Sequence, residues 1–270
     1  MSATLTAAYA AAGLVGAAGA VHAGPALAGV SPFGMRVTPR LVGRGQPGHV
    51  ALTFDDGPDP ASTPAILHEL DRLGWHATFF MLGTMARRAP GLVNEVIAAG
   101  HEVAVHGDEH RNMLRRPPGH ARADIQRATG TVAELSGTEP VWFRPPFGVL
   151  SLGALSGAKR AGLTTVLWTT WGRAWRQEAT PDTVVADVLR RYVDGGTVLL
   201  HDSDCESYPG SWRATLGALA PLAEQLHGRG LTDKSVADAI QLSDEKYCGV
   251  AATLRPTAEI VTSYEIHESL

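Results

Sequence analysis

The chain has 270 residues, 44% of them hydrophobic, a formal net charge of −4 and no dense basic run. That size and composition suit one α/β domain with appendages around an ordinary buried core, and the charge gives nucleic acid binding no electrostatic support. Two cysteines, Cys205 and Cys248, are too few for a disulfide framework.

In chain order, the first segment is apolar: no Asp, Glu, Lys or Arg occurs before Arg36. Residues 1–30, rich in Ala and Gly from Leu5 to Val21, read as a signal-peptide core with Ala26-Leu27-Ala28 as its small-residue cleavage site. They read equally as a membrane anchor near the lower length limit for a span, or as an Ala-rich helix packed on the surface. The first two readings imply an extracytoplasmic protein, secreted or anchored. No basic stretch precedes the segment, and Arg36, Arg40 and Arg44 follow it, an order that favours a cytoplasmic C-terminal side. Residues 31–47 form a Gly/Pro/Arg linker.

From residue 48 the pattern alternates between short apolar runs and amphipathic stretches. Val50 to Phe54, Ala77 to Leu82, Glu102 to Val105, Val141 to Phe143, Thr165 to Trp168 and Thr197 to Leu200 read as strands, Ala77 to Leu82 as one buried on both faces. Between the first two, Thr63 is placed to cap a helix with Pro64 at its first position, Leu67, Leu70 and Leu73 share a face, and Gly74 ends it. Leu92, Val93, Val96 and Ile97 make the next stripe, stopped by Gly100. Further helices are predicted near 119–136, 151–161, 182–193 and 211–227, with Gly162, Gly195 and Gly228 at C-caps. Six βα units result, with a seventh strand expected near Leu231. The alternation argues for a parallel barrel or doubly wound sheet. Residues 234–270 carry no assigned role.

Five of these strand-like segments, all but Ala77 to Leu82, end in a reactive cluster, and in a parallel βα fold these clusters meet on one face. Asp55 and Asp56 are adjacent, so their side chains point to opposite sides of an extended chain, and Gly57-Pro58 turns the chain behind them. His106 and His110, four residues apart, can present two imidazoles on one side of a helical turn. With a carboxylate from another strand end, they leave positions open for water and substrate, as at catalytic zinc or non-haem metal sites. Arg144, between a strand and two prolines, suits a rigid bidentate grip on a carboxylate. His201 follows an apolar strand and is placed for proton transfer. Asp108, Glu109, Asp202, Asp204 and Glu206 read as solvated loop residues. Trp168, Trp171, Trp175 and Trp212 read equally as sugar-stacking surfaces or as core.

Together these clusters resemble carbohydrate esterase family 4, the NodB-like polysaccharide deacetylases. Thr53-Phe54-Asp55-Asp56-Gly57-Pro58 matches the family's first motif in full, and His106-x-x-x-His110 resembles the second, with Gly107 where Ser or Thr is usual. Arg144-Pro145-Pro146-Phe147-Gly148 resembles the third and Leu199-Leu200-His201 the fifth. The resemblance spans roughly residues 48–233 and implies a distorted (β/α)7 barrel, the NodB homology domain. It implies metal-dependent removal of N-acetyl or O-acetyl groups from an acetylated glycan such as chitin or peptidoglycan. By this resemblance Asp55 is the general base, Asp56, His106 and His110 hold the metal, Arg144 orients Asp55, and His201 is the general acid. Phe147 contributes a backbone N–H to the oxyanion, and Trp175 and Leu199 wall the acetyl pocket. Zinc is the implied metal, with cobalt and nickel as alternatives. The fourth motif departs from the family: Ala174 precedes Trp175 where an Asp is usual, so His201 loses an orienting partner. Two rival readings are a weakened carbohydrate-binding relative and a small-molecule amidohydrolase of the same fold.

Overall fold

The computed structural model describes residues 16–17, 19–26, 38–45, 47–232 and 235–236. Most of the N-terminal segment and of the C-terminal extension, Cys248 included, lies outside the described residues. Within the N-terminal segment, residues 19–26 are helical, and a ring nitrogen of His22 meets the Leu114 carbonyl at 3.2 Å. Among the described residues no helix is long and apolar enough to cross a membrane.

Seven strands form one parallel sheet: β1 (Ala51–Asp55), β2 (Thr78–Met81), β3 (Glu102–Val105), β4 (Trp142–Phe143), β5 (Thr164–Thr165), β6 (Thr170–Trp171) and β7 (Thr197–His201). Their order is β5-β4-β3-β2-β1-β7-β6. The central strands β1, β2 and β7 are those whose sequences are nearly continuous apolar runs, and they are buried along almost their whole length. Among the described residues from Ala51 onward, six α-helices lie between the strands, α1 (Thr63–Leu73), α2 (Gly83–Arg88), α3 (Pro90–Ala98), α4 (Pro118–Ser136), α5 (Leu152–Arg160) and α6 (Pro181–Arg190), and α7 (Trp212–His227) follows β7. Leu219, Leu222 and Leu226 share the buried face of α7, and burying a leucine contributes about 1.5–3 kcal/mol.

The expected distorted seven-stranded parallel barrel is therefore present, but its seventh strand arises differently. Leu231 belongs to no strand; its N–H bonds the Leu226 carbonyl and it closes the end of α7. Of the apolar run Thr165–Trp168 only Thr165 lies in a strand, β5; β6 begins beyond the run at Thr170, and the two strands lie at opposite edges of the sheet. Between them the chain crosses the seam without a helix. Val166 N–H bonds Phe143, Leu167 N–H bonds Leu41, and Thr169 N–H bonds Thr197, so these three crossing residues find three different backbone partners. Residues 41–45, in the segment read as linker, lie against the same seam: Val42 is buried, and Gly43 offers its carbonyl to the Thr197 hydroxyl at 2.7 Å.

Two local expectations change as well. Ser62, not Thr63, occupies the N-cap of α1, with Pro64 inside the first turn; the Thr63 hydroxyl instead serves Asp59 and Asp202. Gly228 is right-handed, and the left-handed residue that ends this turn is Gly230, with φ 87°.

Candidate active site

The C-terminal end of β1 carries Asp55 and, just beyond it, Asp56, both buried. Asp56 has a φ of 83°, in the left-handed region, and this turns its carboxylate away from that of Asp55. Asp202, immediately after β7, secures the turn behind them. One of its oxygens accepts the Gly57 N–H at 3.0 Å and the other the Thr63 hydroxyl at 2.6 Å. Burial pushes the Asp202 carboxyl up to about 7, with the Asp56 charge adding to the rise and the two hydrogen bonds opposing it.

Arg144 lies inside the barrel with no exposed surface. Its Nη1 donates to Asp55 Oδ1 at 2.7 Å and to the Thr53 hydroxyl at 2.8 Å. Its Nη2 donates to the Leu167 carbonyl at 2.9 Å, and its guanidinium carbon sits 3.9 Å from the centre of the Phe80 ring. The crossing between β5 and β6 thus supplies a carbonyl that an unbroken strand would have used in its ladder. The guanidinium grips Asp55 through one oxygen and spends its remaining donors on the barrel wall.

Asp56 Oδ1 lies 3.4 Å from His106 Nε2 and 3.3 Å from His110 Nε2, and it makes no hydrogen bond of good geometry despite being buried. One ligand atom from each of the three residues falls within 4.8 Å of the others. A buried, unpartnered carboxylate oxygen facing two imidazole nitrogens has the donor set and the missing partner that a divalent cation would supply. The two histidines come from an irregular loop after β3, not from a helical turn. Each is fixed separately: His106 Nδ1 contacts the Arg144 carbonyl at 2.9 Å, and His110 packs edge-on against Phe147, with ring centres 4.3 Å apart. Burial alone would raise the Asp56 carboxyl, but its contact with His106 and the nearby imidazoles hold it at about 2. Burial lowers His110 to about 4, which keeps it neutral and able to ligate at neutral pH. His106 is driven the other way: burial lowers it, yet the Asp55 and Asp56 carboxylates prevail and raise it.

A cavity of about 370 Å³ joins these groups, lined by Asp55, Asp56, His106, His110, Phe147, Trp168, Trp175, Leu199 and His201 among others. Every residue given a catalytic, metal-holding or substrate-binding role by the resemblance borders it except Arg144, which stands beneath Asp55 and borders a separate cavity of about 80 Å³. At the mouth, Phe147 is 54% and Trp175 38% exposed, too much for core residues and suited to stacking on a sugar ring. Trp175 meets the His201 ring edge-on at 5.5 Å. Trp168, read equally as stacking surface or core, is part of the lining, and so is Glu206, read as a solvated loop residue; the signal for Glu206 was its position five residues after His201 in the same strand-end loop. Trp171 packs on Trp168, and Trp212 pairs with Arg213, so neither belongs to the cavity.

His201 Nδ1 is buried and lacks a hydrogen-bond partner among the described residues. Asp202 is committed to Gly57 and Thr63, and Asp204 accepts the Gly210 N–H. Ala174, at the position of the family's usual acid, is buried in the apolar core.

A family model for polysaccharide deacetylase matches residues 43–166. A peptidoglycan-N-acetylglucosamine deacetylase of Bacillus cereus is 35% identical over 195 residues, covering 71% of this chain and 88% of the relative. The chain belongs to carbohydrate esterase family 4. A chitooligosaccharide deacetylase of Sinorhizobium fredii is 34% identical over 210 residues, 75% of this chain and 95% of that one. Among solved structures, a family 4 carbohydrate esterase from Streptomyces lividans, in complex with acetate, superposes with a TM-score of 0.61 at 31% identity, covering 70% of this chain and 95% of that one. The family 4 chain shares with these relatives the barrel that carries the cavity, and the family model spans both Asp55-Asp56 and Arg144.

Proposed function

We propose that this family 4 protein removes N-acetyl groups from an acetylated glycan, chitooligosaccharide or peptidoglycan, in a zinc-dependent reaction outside the cytoplasm. The observation that carries the reading is the convergence of Asp56, His106 and His110 within 4.8 Å, beside an Asp55 held by Arg144 at 2.7 Å, in one cavity with His201. A divalent metal would be held by Asp56, His106 and His110, and would supply Lewis-acid polarisation of the acetyl carbonyl and a water acidified toward neutral pH.

The chain's own groups do the rest. Asp55, oriented by Arg144, takes the proton of the attacking water. His201 gives a proton to the departing amine as the C–N bond breaks, so the products are acetate and a free amino sugar. The backbone N–H of Phe147 donates to the oxyanion. Leu199 and Trp175 wall the space for the acetyl methyl, and the exposed faces of Phe147 and Trp175 stack on the sugar. Arg144 is a positioning residue, since its donors end on Asp55, Thr53 and the Leu167 carbonyl.

A weakened relative is the second reading, favoured by the unpartnered His201 Nδ1. General acid–base help contributes about 10²–10⁴-fold in rate, so an imperfectly held acid slows turnover without removing it. The test is acetate release from chitooligosaccharides and from peptidoglycan, with and without added zinc, for wild type and His106→Ala. Zinc-dependent release that disappears in the variant supports the reading. Release equal in both proteins would refute the ligand assignment.

A further inference from the structure

A histidine that offers Nε2 to a cation carries its proton on Nδ1, and that N–H needs an acceptor to fix the ring and strengthen the ligand. His106 satisfies the requirement through the Arg144 carbonyl, 2.9 Å from Nδ1. His110 does not: its Nδ1 is buried and makes no hydrogen bond among the described residues, while its Nε2 faces Asp56 at 3.3 Å. The acceptor within reach is Glu206, whose Oε2 lies 3.9 Å from His110 Nδ1. We infer that Glu206 is a positioning residue for the proposed metal site, accepting the Nδ1 proton of His110 when a cation occupies its Nε2.

Three features support this. Glu206 makes no other ion pair among the described residues, so its carboxylate is not committed elsewhere. Its backbone is held in place by the surrounding loop: the Ser203 hydroxyl donates to Asp59 at 2.9 Å, Cys205 N–H donates to Ser203 at 3.2 Å, Ser207 N–H bonds Asp204 and Tyr208 N–H bonds Trp175. The side chain itself is 47% exposed, free to swing the roughly 1 Å that separates the present contact from a charge-assisted hydrogen bond. The Phe147 ring, edge-on to His110 at 4.3 Å, limits how far the imidazole could turn instead. Glu206 would therefore couple the loop after His201 to the cation, placing proposed acid and proposed metal under the control of one connection.

This inference rests on the metal reading above, and its test keeps the two apart. Zinc affinity of the full chain is measured by competition with a chromophoric chelator, for wild type, Glu206→Ala and Glu206→Gln, alongside thermal melting of each metal-free protein. Glu206→Ala should bind zinc about 10–100-fold more weakly, with Glu206→Gln intermediate because its amide oxygen can still accept. Metal-free melting temperatures should coincide, as the side chain is half exposed. Wild type binding zinc with Glu206→Ala at the same affinity would overturn this inference alone, as would weaker binding that merely tracks a lowered metal-free melting temperature. Wild type that binds no zinc would overturn both it and the metal reading.

Discussion

At the scale of single residues, His201 is the group whose surroundings depart most from what proton transfer needs. Its Nδ1 is buried without a partner, and Ala174 fills the position of the family's acid with a methyl group. Ala174→Asp should place a carboxylate where the family resemblance implies a partner for His201, hold the imidazole in one tautomer and stabilise its protonated form. The proposed acid would then stay protonated to higher pH, so the alkaline limb of kcat against pH should move upward and kcat rise about tenfold. An unmoved limb with no gain would mean that His201 is not the acid. Asp55, Asp56, His106, His110, Arg144 and His201 were legible in sequence because strand ends, turn residues and side-chain chemistry coincide there. What was not legible depends on backbone direction. Gly107, for example, departs from the Ser or Thr that the resemblance implies, yet its φ is 99°, and a Cβ would meet Asp124 Oδ2 at 3.1 Å. Gly107→Ser should therefore destabilise the fold by about 1–3 kcal/mol rather than improve the site; urea titration of the metal-free protein checks this, and an unchanged midpoint would contradict it.

At the scale of elements, the loop between β3 and α4 and the crossing between β5 and β6 decide where the chemistry sits. The first is anchored by the buried Asp124 of α4, which accepts the Asp108 N–H at 2.8 Å and pairs with Arg116. Asp108 in turn pairs with Arg87 and Arg127, so residues read from sequence as solvated carry the loop that holds both histidines. The second was hidden because Thr165 to Trp168 is one apolar run, and two-residue strands leave no periodicity to detect. Helices α1, α3, α4, α5, α6 and α7 were visible from their stripes and Pro/Gly boundaries, whereas Gly83–Arg88 was not, being too short to show an apolar repeat. At the join of α3 and β3, His101 is buried and pulled down to about 4, first by burial and then by the neighbouring His76. The unfolded chain binds a proton at this position near pH 6.5 and the folded chain does not, so between pH 6.5 and 4 folding stability falls as pH falls. The slope from one such group reaches about 1.4 kcal/mol per pH unit. Urea unfolding across that window should show a shallower slope for His101→Asn than for wild type; equal slopes would contradict the assignment.

At the scale of the whole molecule, seven parallel strands aim their C-terminal ends at one cavity, and the residues that line it come from six of those ends, Trp168 following β5 and Trp175 following β6. β1 brings two carboxylates, β3 leads to two imidazoles, β4 leads to Phe147, and β7 ends in His201. Arg144, between β4 and the crossing, locks the barrel interior to the first of those carboxylates. The general arrangement follows from βα alternation, and the chemistry follows from which side chains stand at the ends. The proposed division of labour separates metal holding from proton transfer between the adjacent Asp56 and Asp55. Asp55→Asn is nearly isosteric and cannot take the water proton, so it isolates the second role. The decisive measurement is kcat for acetate release from one chitooligosaccharide, with bound zinc quantified in the same samples, for wild type and Asp55→Asn. Stoichiometric zinc in both, with kcat lower by about 10²–10⁴-fold in the variant, is the expected result. Zinc retained and turnover unchanged in Asp55→Asn would contradict it.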